Sequence, residues 1–428
     1  MAATAQIVLI VMVITYVIIR LFKISTELAL FFAALAGAVA GGAGFPARHI
    51  VEGAFTYLDI ILIFITATLF MNILKESGGV AFVVRALLAR FHRRKTILFV
   101  LITFLLLIPG ALTGAGSVTV LITGGMIATV LHYMGIPKAK TAAIIFILAG
   151  LSAAAPPVSL WAMLTAAGVN MPYVGFFLPL LIPCVVLSLL TIFILGWKAK
   201  AVDLEKALKE LPLAPARMNW LRVLLPFLVF FLLVIAGRIW PHSFPIFGLP
   251  LMFVVAGLSS FLVSPITLDV LKISRETMQQ LLPLIGTLTC VGILVQIMTL
   301  TGARGLIAIS VVTLPLTVVL LSLSLVLPIS EAVLMWGAAP VLGVPLVLLF
   351  NTIGLNPIVA LAGMSVIWPL GDALPPTAII GRLTQDTVGL EGSYGQLLKQ
   401  CLIPAVIIVV AGTLMVIFSK ELSFLTLL

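Results

Sequence analysis

Two stretches of the chain interrupt long apolar runs with a double proline: AAAPPVSLW at Ala153–Trp161 and DALPPTAIIG at Asp372–Gly381. A proline inside a helix removes a backbone hydrogen bond, and the residue before it is disfavoured in the helical conformation. Within a membrane, such a break is tolerated where protein surrounds it or where it lines a cavity. Interrupted apolar helices at corresponding positions of two halves indicate the binding site of a secondary transporter. The alternative is two unrelated kinks, since proline is frequent in membrane helices.

Composition places the chain in a membrane. Of its 428 residues, 62% are hydrophobic and only 9% are charged, which is more apolar sequence than a soluble core needs. The net charge of +10 is better explained by basic cytoplasmic loops than by a nucleic-acid partner, and we expect none. The three cysteines lie within apolar runs, as small core residues do. No polar segment is long enough for a catalytic domain, so we do not expect an enzyme.

The apolar runs predict an all-α, multi-pass (polytopic) membrane protein in contact with the lipid bilayer. The predicted spans are 4–22, 27–44, 56–74, 139–166, 173–197, 219–237, 245–263, 277–300, 356–388 and 396–419. Two further apolar regions, 96–132 and 305–350, are interrupted near Pro109 and Pro328. Each is predicted to be a re-entrant hairpin that returns to its starting side; length alone would also allow two full crossings.

Basic residues predict the orientation. With both termini outside, only Arg48, Arg238, Arg304 and Lys420 lie outside, and the other 20 of the 24 basic residues lie in the cytoplasm. That bias is the one that cytoplasmic loops show. The same arrangement opens the first hairpin to the cytoplasm and the second to the outside, so the two halves are predicted to be inverted.

A gapless shift of 219 residues aligns the two halves. It brings Pro109 onto Pro328, Gly124 onto Gly343, and the first double proline onto the second. We therefore predict an inverted repeat. Residues 1–213 form the first unit, with hairpin 96–132 and broken helix 139–166. Residues 214–428 form the second, with hairpin 305–350 and broken helix 356–388.

Several stretches share a recurring proline and glycine spacing: GIP at 135–137, AAPP at 154–157, Phe176–Gly196, AAPVL at 338–342, and GLNP at 354–357 followed by Gly371 and Pro375-Pro376. In these stretches the chain resembles the large membrane subunit of the tripartite ATP-independent periplasmic (TRAP) transporters, within the ion transporter superfamily. The hairpin tip LTGAGSVT at Leu112–Thr119 lacks the acid that is usual in the family.

That resemblance implies an elevator-type transporter of the inner membrane. It implies sodium-coupled import of an organic acid, such as a C4-dicarboxylate or a sialic-acid-like anion. It also implies two partners, a small four-helix membrane subunit and a periplasmic solute-binding protein. The departures from the family pattern favour a second hypothesis, a standalone proton- or sodium-coupled carrier of an anion or drug. A third, from another class, is a non-transporting membrane scaffold subunit.

Three acids lie at or near membrane depth: Asp59, Glu331 and Asp372. A charged side chain at a helix centre costs about 2.5–3.5 kcal/mol on insertion scales, so its presence indicates function. Asp372 precedes the second double proline and Glu331 follows Pro328, and both are predicted to couple an ion. The alternative for each is a carboxylate that caps a following helix. Asp59 is predicted to reach the outer interface.

The remaining candidate residues cluster at the tips and breaks. The ion-coupling set adds Ser152, Ser330 and Thr119, whose hydroxyl oxygens could serve sodium; no other metal or cofactor is expected. The alternative is that each hydroxyl bonds its own backbone or a neighbouring helix. The predicted substrate-binding set combines small residues, hydroxyls and the prolines that free backbone groups: Thr113, Gly114, Gly116, Ser117, Pro156, Pro157, Pro375, Pro376 and Thr377.

Overall fold

The structure is a computed structural model that describes residues 2–240, 242–243, 245 and 247–427. The described chain is about 80% helix and contains no strand. This follows from the sequence, because a backbone in hydrocarbon must satisfy its hydrogen bonds within its own segment. Met1 and Leu428, the first and last residues of the predicted repeats, and Ile246, within a predicted span, lie outside the described residues.

In the described part of the first half, the chain forms twelve α-helices. They are α1 (Ala2–Leu21), α2 (Thr26–Ala40), α3 (Ala47–Phe55), α4 (Leu58–Glu76), α5 (Gly79–Phe91), α6 (Lys95–Thr113), α7 (Gly116–Thr119), α8 (Gly125–Tyr133), α9 (Lys138–Ala154), α10 (Leu160–Gly168), α11 (Phe177–Leu195) and α12 (Leu204–Glu210). A π-helical turn, Val120–Gly124, joins α7 to α8.

The described residues of the second half form nine α-helices. They are α13 (Trp220–Ile239), α14 (Leu249–Val263), α15 (Val270–Leu300), α16 (Ala303–Thr313), α17 (Leu316–Leu334), α18 (Val344–Thr352), α19 (Pro357–Ile367), α20 (Ile379–Val388) and α21 (Tyr394–Ile417). Short 3₁₀ segments cover Met335–Gly337, Trp368–Ala373 and Glu421–Leu427, and a π-helical turn covers Ala339–Gly343.

Nine helices in the described part of the chain are long and apolar enough to cross a membrane. The chain is therefore a multi-pass membrane protein, as its composition predicted. The predicted boundary between the two units, 213/214, falls in the loop between α12 and α13.

One predicted boundary needs correction. The second hairpin was placed at 305–350, but residues 303–313 form the separate helix α16. Pro315 then stands at the N-cap of α17, which begins the paired arms at Leu316. Leu314, the residue before Pro315, is extended with a ψ of 145°, and a proline suits a helix start, so this position divides what hydropathy alone reads as one apolar run.

The helices pack as two groups. Helices α1–α4, α14 and α15 pack mainly on one another, and α13 packs on α14. The second group holds both pairs of arms, both proline breaks, α11 and α21, with α9 packed against α6, α11 and α21. The groups meet where α4 packs on α6 and where α15 packs on Met335–Gly337.

Candidate functional site

The first double proline separates α9 from α10. Ala155 is extended, with φ −73° and ψ 148°, as expected for a residue that precedes proline. The Val158 N–H donates a 2.9 Å hydrogen bond to the carbonyl oxygen of Ala111 on α6. The break is thereby attached to the first arm of the first hairpin.

The second double proline separates the 3₁₀ segment Trp368–Ala373 from α20. Thr377 Oγ1 donates a 2.9 Å hydrogen bond to the Ala332 carbonyl on α17. Tyr394 of α21 also donates to the Ala373 carbonyl at 2.6 Å. In each half, a residue just after the prolines therefore bonds the first arm of that half's hairpin. Each double proline contains a cis peptide bond.

The first hairpin turns at Gly114, whose φ of +67° favours glycine. Its tip packs tightly on α9, since a Cβ added to Gly116 would lie 2.6 Å from the Ala149 carbonyl oxygen. Thr119 Oγ1 and Ser152 Oγ lie 2.9 Å apart and join the tip to the broken helix. The structure thus brings the predicted residues of the first half together.

Most of the predicted hydroxyls already bond protein groups. Thr113 donates to the Pro109 carbonyl, Ser152 to the Ala149 carbonyl and Ser330 to the Leu327 carbonyl, at 2.6–2.7 Å. Thr119 bonds Ser152, and Thr377 bonds Ala332. Ser117 at the tip is half-buried. Thr113, Ser152 and Ser330 thus bond the preceding turn of their own helix, whereas the Thr119 and Thr377 bonds join different segments. Both kinds of bond belong to the alternative that the sequence left open.

Glu331 and Asp372 differ from these hydroxyls because they are buried acids. They are the only fully buried charged side chains among the described residues, with exposed fractions of 0% and 3%. Glu331 lies within α17 and Asp372 within the 3₁₀ segment. Between these segments, a Cβ added to Gly371 would lie 2.6 Å from Glu331 Cβ and 3.0 Å from Ala332 N. Two acids from separate elements are therefore packed into one small region.

Neither acid is neutralised by a protein group. Glu331 Oε1, Glu331 Oε2 and Asp372 Oδ2 have no hydrogen-bond partner in the described part of the chain. The ion pairs among those residues are Arg48–Glu52, Asp203–Lys206 and Lys272–Glu276, which are solvent-exposed or partly exposed. Helices α18 and α20, which follow the two acids, have no side-chain cap. A buried carboxylate without a partner is unfavourable unless a cation or a proton joins it.

Two tryptophans that the sequence did not single out lie in the same region. Trp161, at the start of α10, lies beside the Glu331 carboxyl group. Trp368 lies one turn before Asp372 in the 3₁₀ segment. Both side chains are fully buried, and neither Nε1 has a hydrogen-bond partner among the described residues. The Trp161 contact joins the first break to the second hairpin, which local sequence patterns do not report.

Other candidates lie outside this region. Asp59, at the start of α4, is exposed. No group of three or more His, Cys, Asp or Glu residues that could hold a metal ion occurs in the described ranges. The candidate site therefore consists of the Glu331–Asp372 pair, the two indoles and the adjoining breaks.

No protein family matches the chain by sequence, and no curated protein does. Solved structures do match by fold. Neisseria gonorrhoeae MtrF, described with a class of antimetabolite efflux pumps, aligns with a TM-score of 0.60 at 16% identity over 87% of this chain and 83% of MtrF. The Alcanivorax borkumensis YdaH transporter, described as having an unusual topology, aligns with a TM-score of 0.59 at 15% identity over 88% of each chain. The chain thus shares its fold with transporters.

These comparisons correct the family prediction. They do not support a TRAP large subunit. The predicted partners, a small four-helix membrane subunit and a periplasmic solute-binding protein, are wrong, because they depended on the TRAP resemblance, which the structures that share the fold do not support. Those structures are of transporters and not of enzymes, in agreement with the prediction that the chain is not an enzyme.

Proposed function

We propose that this chain is a standalone secondary transporter of the inner membrane that couples the movement of a small organic ion to a sodium or proton gradient. One observation carries the proposal: Glu331 and Asp372 are buried together, without protein counter-charges, beside a helix break. The shared fold with MtrF and YdaH supports the transporter class.

The two acids supply the coupling site in this proposal. Burying a carboxylate at a helix centre costs about 2.5–3.5 kcal/mol on insertion scales. A purely structural position would be filled at lower cost by an apolar residue of similar volume. Binding a cation on one side of the membrane and releasing it on the other is a function that accounts for a buried carboxylate at this position.

The proposed transport cycle uses the two helix groups. In this proposal residues 1–213 and 214–428 are inverted repeats, and the group that carries both hairpins and both breaks moves against the other group as an elevator. The matching attachments support this assignment, since Val158 bonds the Ala111 carbonyl in one half and Thr377 bonds the Ala332 carbonyl in the other. Moving parts must keep such internal contacts while the interface between the groups shifts.

The predicted tip residues serve substrate binding in this scheme through their backbone. Gly114 and Gly116 allow close approach at the first tip, and Pro156, Pro157, Pro375 and Pro376 free backbone groups at the breaks. The hydroxyls of Thr119, Ser152 and Ser330 bond protein groups, and their oxygens keep lone pairs for a sodium ion. The two carboxylates carry the buried negative charge, so in this proposal they bind the coupling cation.

Reconstitution tests the proposal. The purified chain alone, in proteoliposomes, is expected to accumulate at least one labelled organic ion from a panel that includes succinate, sialic acid and tetraphenylphosphonium. Accumulation should require an imposed sodium or pH gradient and should be lost in Asp372→Asn. The exposed Asp386→Asn on α20 is the matched control. Absence of gradient-driven movement for the whole panel, with folded protein, would favour the scaffold hypothesis instead.

A further inference from the structure

We infer that two apolar cavities of this chain bind the acyl chains of bilayer phospholipids, one cavity for each side of the membrane. The first cavity has a volume of about 400 Å³ and the second a volume of about 420 Å³. Glu331 and Asp372 line neither of them, so the inference is separate from the coupling site. It goes beyond the proposed transport function and does not depend on it.

The first cavity lies between the two helix groups. Helix α4 contributes Leu74 to its wall, α6 contributes Leu105 and Leu112, and the first double proline also borders it. Helix α13 contributes a row of large apolar residues at helical spacing: Trp220, Leu224, Phe227 and Phe231. Among the lining residues, Leu224 is 47% exposed and Ile108 is 41% exposed. The cavity therefore opens onto the apolar surface that faces the membrane.

The second cavity has the same construction in the other half. Helix α15 contributes Met298 to its wall, α16 contributes Ile307, and α17 contributes Leu325 and Ile329. Helix α1 contributes a row of residues, as α13 does in the first cavity: Leu9, Met12, Val13, Tyr16 and Val17. Leu325 is 67% exposed and Ile329 is 53% exposed, so this cavity also opens onto the surface that faces the membrane.

The two cavities correspond to each other under the proposed repeat. Helices α1 and α13 are the first helices of the two units, and α2 packs on α15 as α14 packs on α4. Three pairs of lining residues occupy equivalent positions, two at equal distances from the turns at Gly78 and Gly302 and one under the 219-residue shift: Leu74 with Met298, Val83 with Ile307, and Ala111 with Ser330. Because the units are proposed to be inverted, one cavity belongs to each side of the membrane.

The side chains in the walls suit hydrocarbon. Among the described residues that line the two cavities, none is charged. The hydroxyl groups of Thr123, Ser330 and Tyr16 each donate a hydrogen bond to a backbone carbonyl of the protein. A polar ligand group placed here would lose its hydrogen bonds to water without gaining a charged partner, which is unfavourable. The walls therefore select an apolar ligand.

The bilayer supplies that ligand on both sides of the membrane, which matches a cavity that is built twice. An acyl chain reaches either cavity from the side without leaving hydrocarbon, because exposed apolar residues such as Leu224 and Ile329 continue from the wall to the lipid-facing surface. Both volumes lie within the range of small-ligand pockets, and an empty cavity would lose dispersion contacts along its walls. A bound chain fills the seam between the two helix groups with fluid hydrocarbon.

Native mass spectrometry tests the inference by counting the phospholipids that stay bound to the full chain after purification and extensive washing in a mild detergent. The wild type is expected to retain about two phospholipids per chain, one for each cavity of ligand size. Organic extraction followed by a phosphorus assay checks the count and identifies the bound molecules as phospholipids.

Variants at equivalent positions fill one cavity at a time. Val83→Trp in the first cavity and Ile307→Trp in the second replace half-buried lining residues, and each variant should lose one phospholipid. The double variant should lose both. Leu348→Trp is the matched control, because Leu348 is an exposed apolar residue of α18 that lines neither cavity; it should retain the wild-type number. If a tryptophan variant fails to fold, Val83→Phe or Ile307→Phe, which adds less volume, takes its place.

Three results would overturn the inference. The wild type could retain no phospholipid, or the filled variants could retain as many phospholipids as the wild type. The third is an equal loss in Leu348→Trp, which would assign the bound lipids to the general membrane-facing surface. None of these measurements involves transport, so gradient-driven movement in proteoliposomes tests the proposed function independently of the lipid sites.

Discussion

Thr119 Oγ1 and Ser152 Oγ lie 2.9 Å apart, and their hydrogen bond joins the tip of the first hairpin to the broken helix α9. Both side chains are fully buried. Gly110 makes the approach possible, since a Cβ there would lie 2.6 Å from Ser152 Cβ and 2.8 Å from Thr119 Oγ1. The contact is therefore a candidate for holding the first tip in place.

A double-mutant cycle measures that contact. Ser152→Ala should lower the free energy of unfolding by about 1–3 kcal/mol, because it leaves the buried Thr119 hydroxyl without its partner. Thr119→Val should cost less, about 0.5–1.5 kcal/mol, because Ser152 keeps its hydrogen bond to the Ala149 carbonyl. The double variant should lower the free energy of unfolding by less than the sum of the two single variants. Denaturant unfolding in mixed micelles gives the values. A coupling energy that changes with sodium concentration would instead make these hydroxyls sodium ligands.

Gly371 should tolerate no side chain. Gly371→Ala would place its Cβ 2.6 Å from Glu331 Cβ, so α17 and the 3₁₀ segment would have to separate. Overpacking of this kind costs about 1–3 kcal/mol. Gly305→Ala on α16 is the control, because nothing lies within 4 Å of the added Cβ. Unfolding in mixed micelles should show a lower free energy of unfolding for Gly371→Ala and no decrease for Gly305→Ala. Equal stability of the two variants would contradict the packing around Gly371.

The contacts of Asp203 predict that the local stability of α12, outside the membrane, depends on pH. Its side chain caps α12 by accepting a hydrogen bond from the Lys206 N–H, and it also pairs with the Lys206 ammonium at 2.9 Å. The hydrogen bond with the Lys206 side chain holds the pKa of Asp203 below its ordinary value of 3.8. A carboxyl group whose pKa is lower in the folded state stabilises that state above its ordinary pKa. That contribution is lost as the pH falls through the lowered pKa.

Hydrogen exchange of the amides in Leu204–Glu210, corrected for intrinsic rates, should therefore show weaker protection below about pH 4 in the wild type. Asp203→Asn keeps a good N-cap but removes the charge, so its protection should not change across that pH range. Protection that falls equally in both proteins would assign the change to another group.

The helix breaks could be predicted from sequence because proline acts locally. The residue before a proline is disfavoured in the helical region and the proline lacks an N–H. Single prolines such as Pro109 and Pro328 are accommodated within α6 and α17, whereas each double proline ends a helical segment. The burial of Glu331 and Asp372 was foreseeable for a similar reason, since each lies within a long apolar run. In contrast, the placement of Trp161 beside Glu331 depends on how the two halves pack, and residues 170 positions apart carry no local signal of it.

The same distinction between local backbone signals and side-chain contacts explains why the predicted partners were wrong. The resemblance to TRAP rested on proline and glycine spacings, which specify where the backbone turns and breaks. Unrelated transporters can share those features if they share a fold. Contacts with a small subunit or a binding protein depend on surface side chains, and spacings of Pro and Gly contain no information about them. The prediction of the hydroxyl ligands is limited in a similar way. The sequence around a Ser or Thr residue does not show whether its hydroxyl bonds a carbonyl or an ion.

The orientation can be tested with two new cysteines. Lys206→Cys lies on α12, which is predicted to be cytoplasmic, and Lys420→Cys follows α21 at the predicted outer side. Both positions are exposed, whereas the native Cys184 and Cys401 are buried and Cys290 is half-buried. In intact cells a membrane-impermeant maleimide should label Lys420→Cys and should label Lys206→Cys only after permeabilisation, because basic loops are retained in the cytoplasm. The reverse pattern would invert the assignment of both hairpin mouths, and the cargo would then meet the Glu331 hairpin from the cytoplasm.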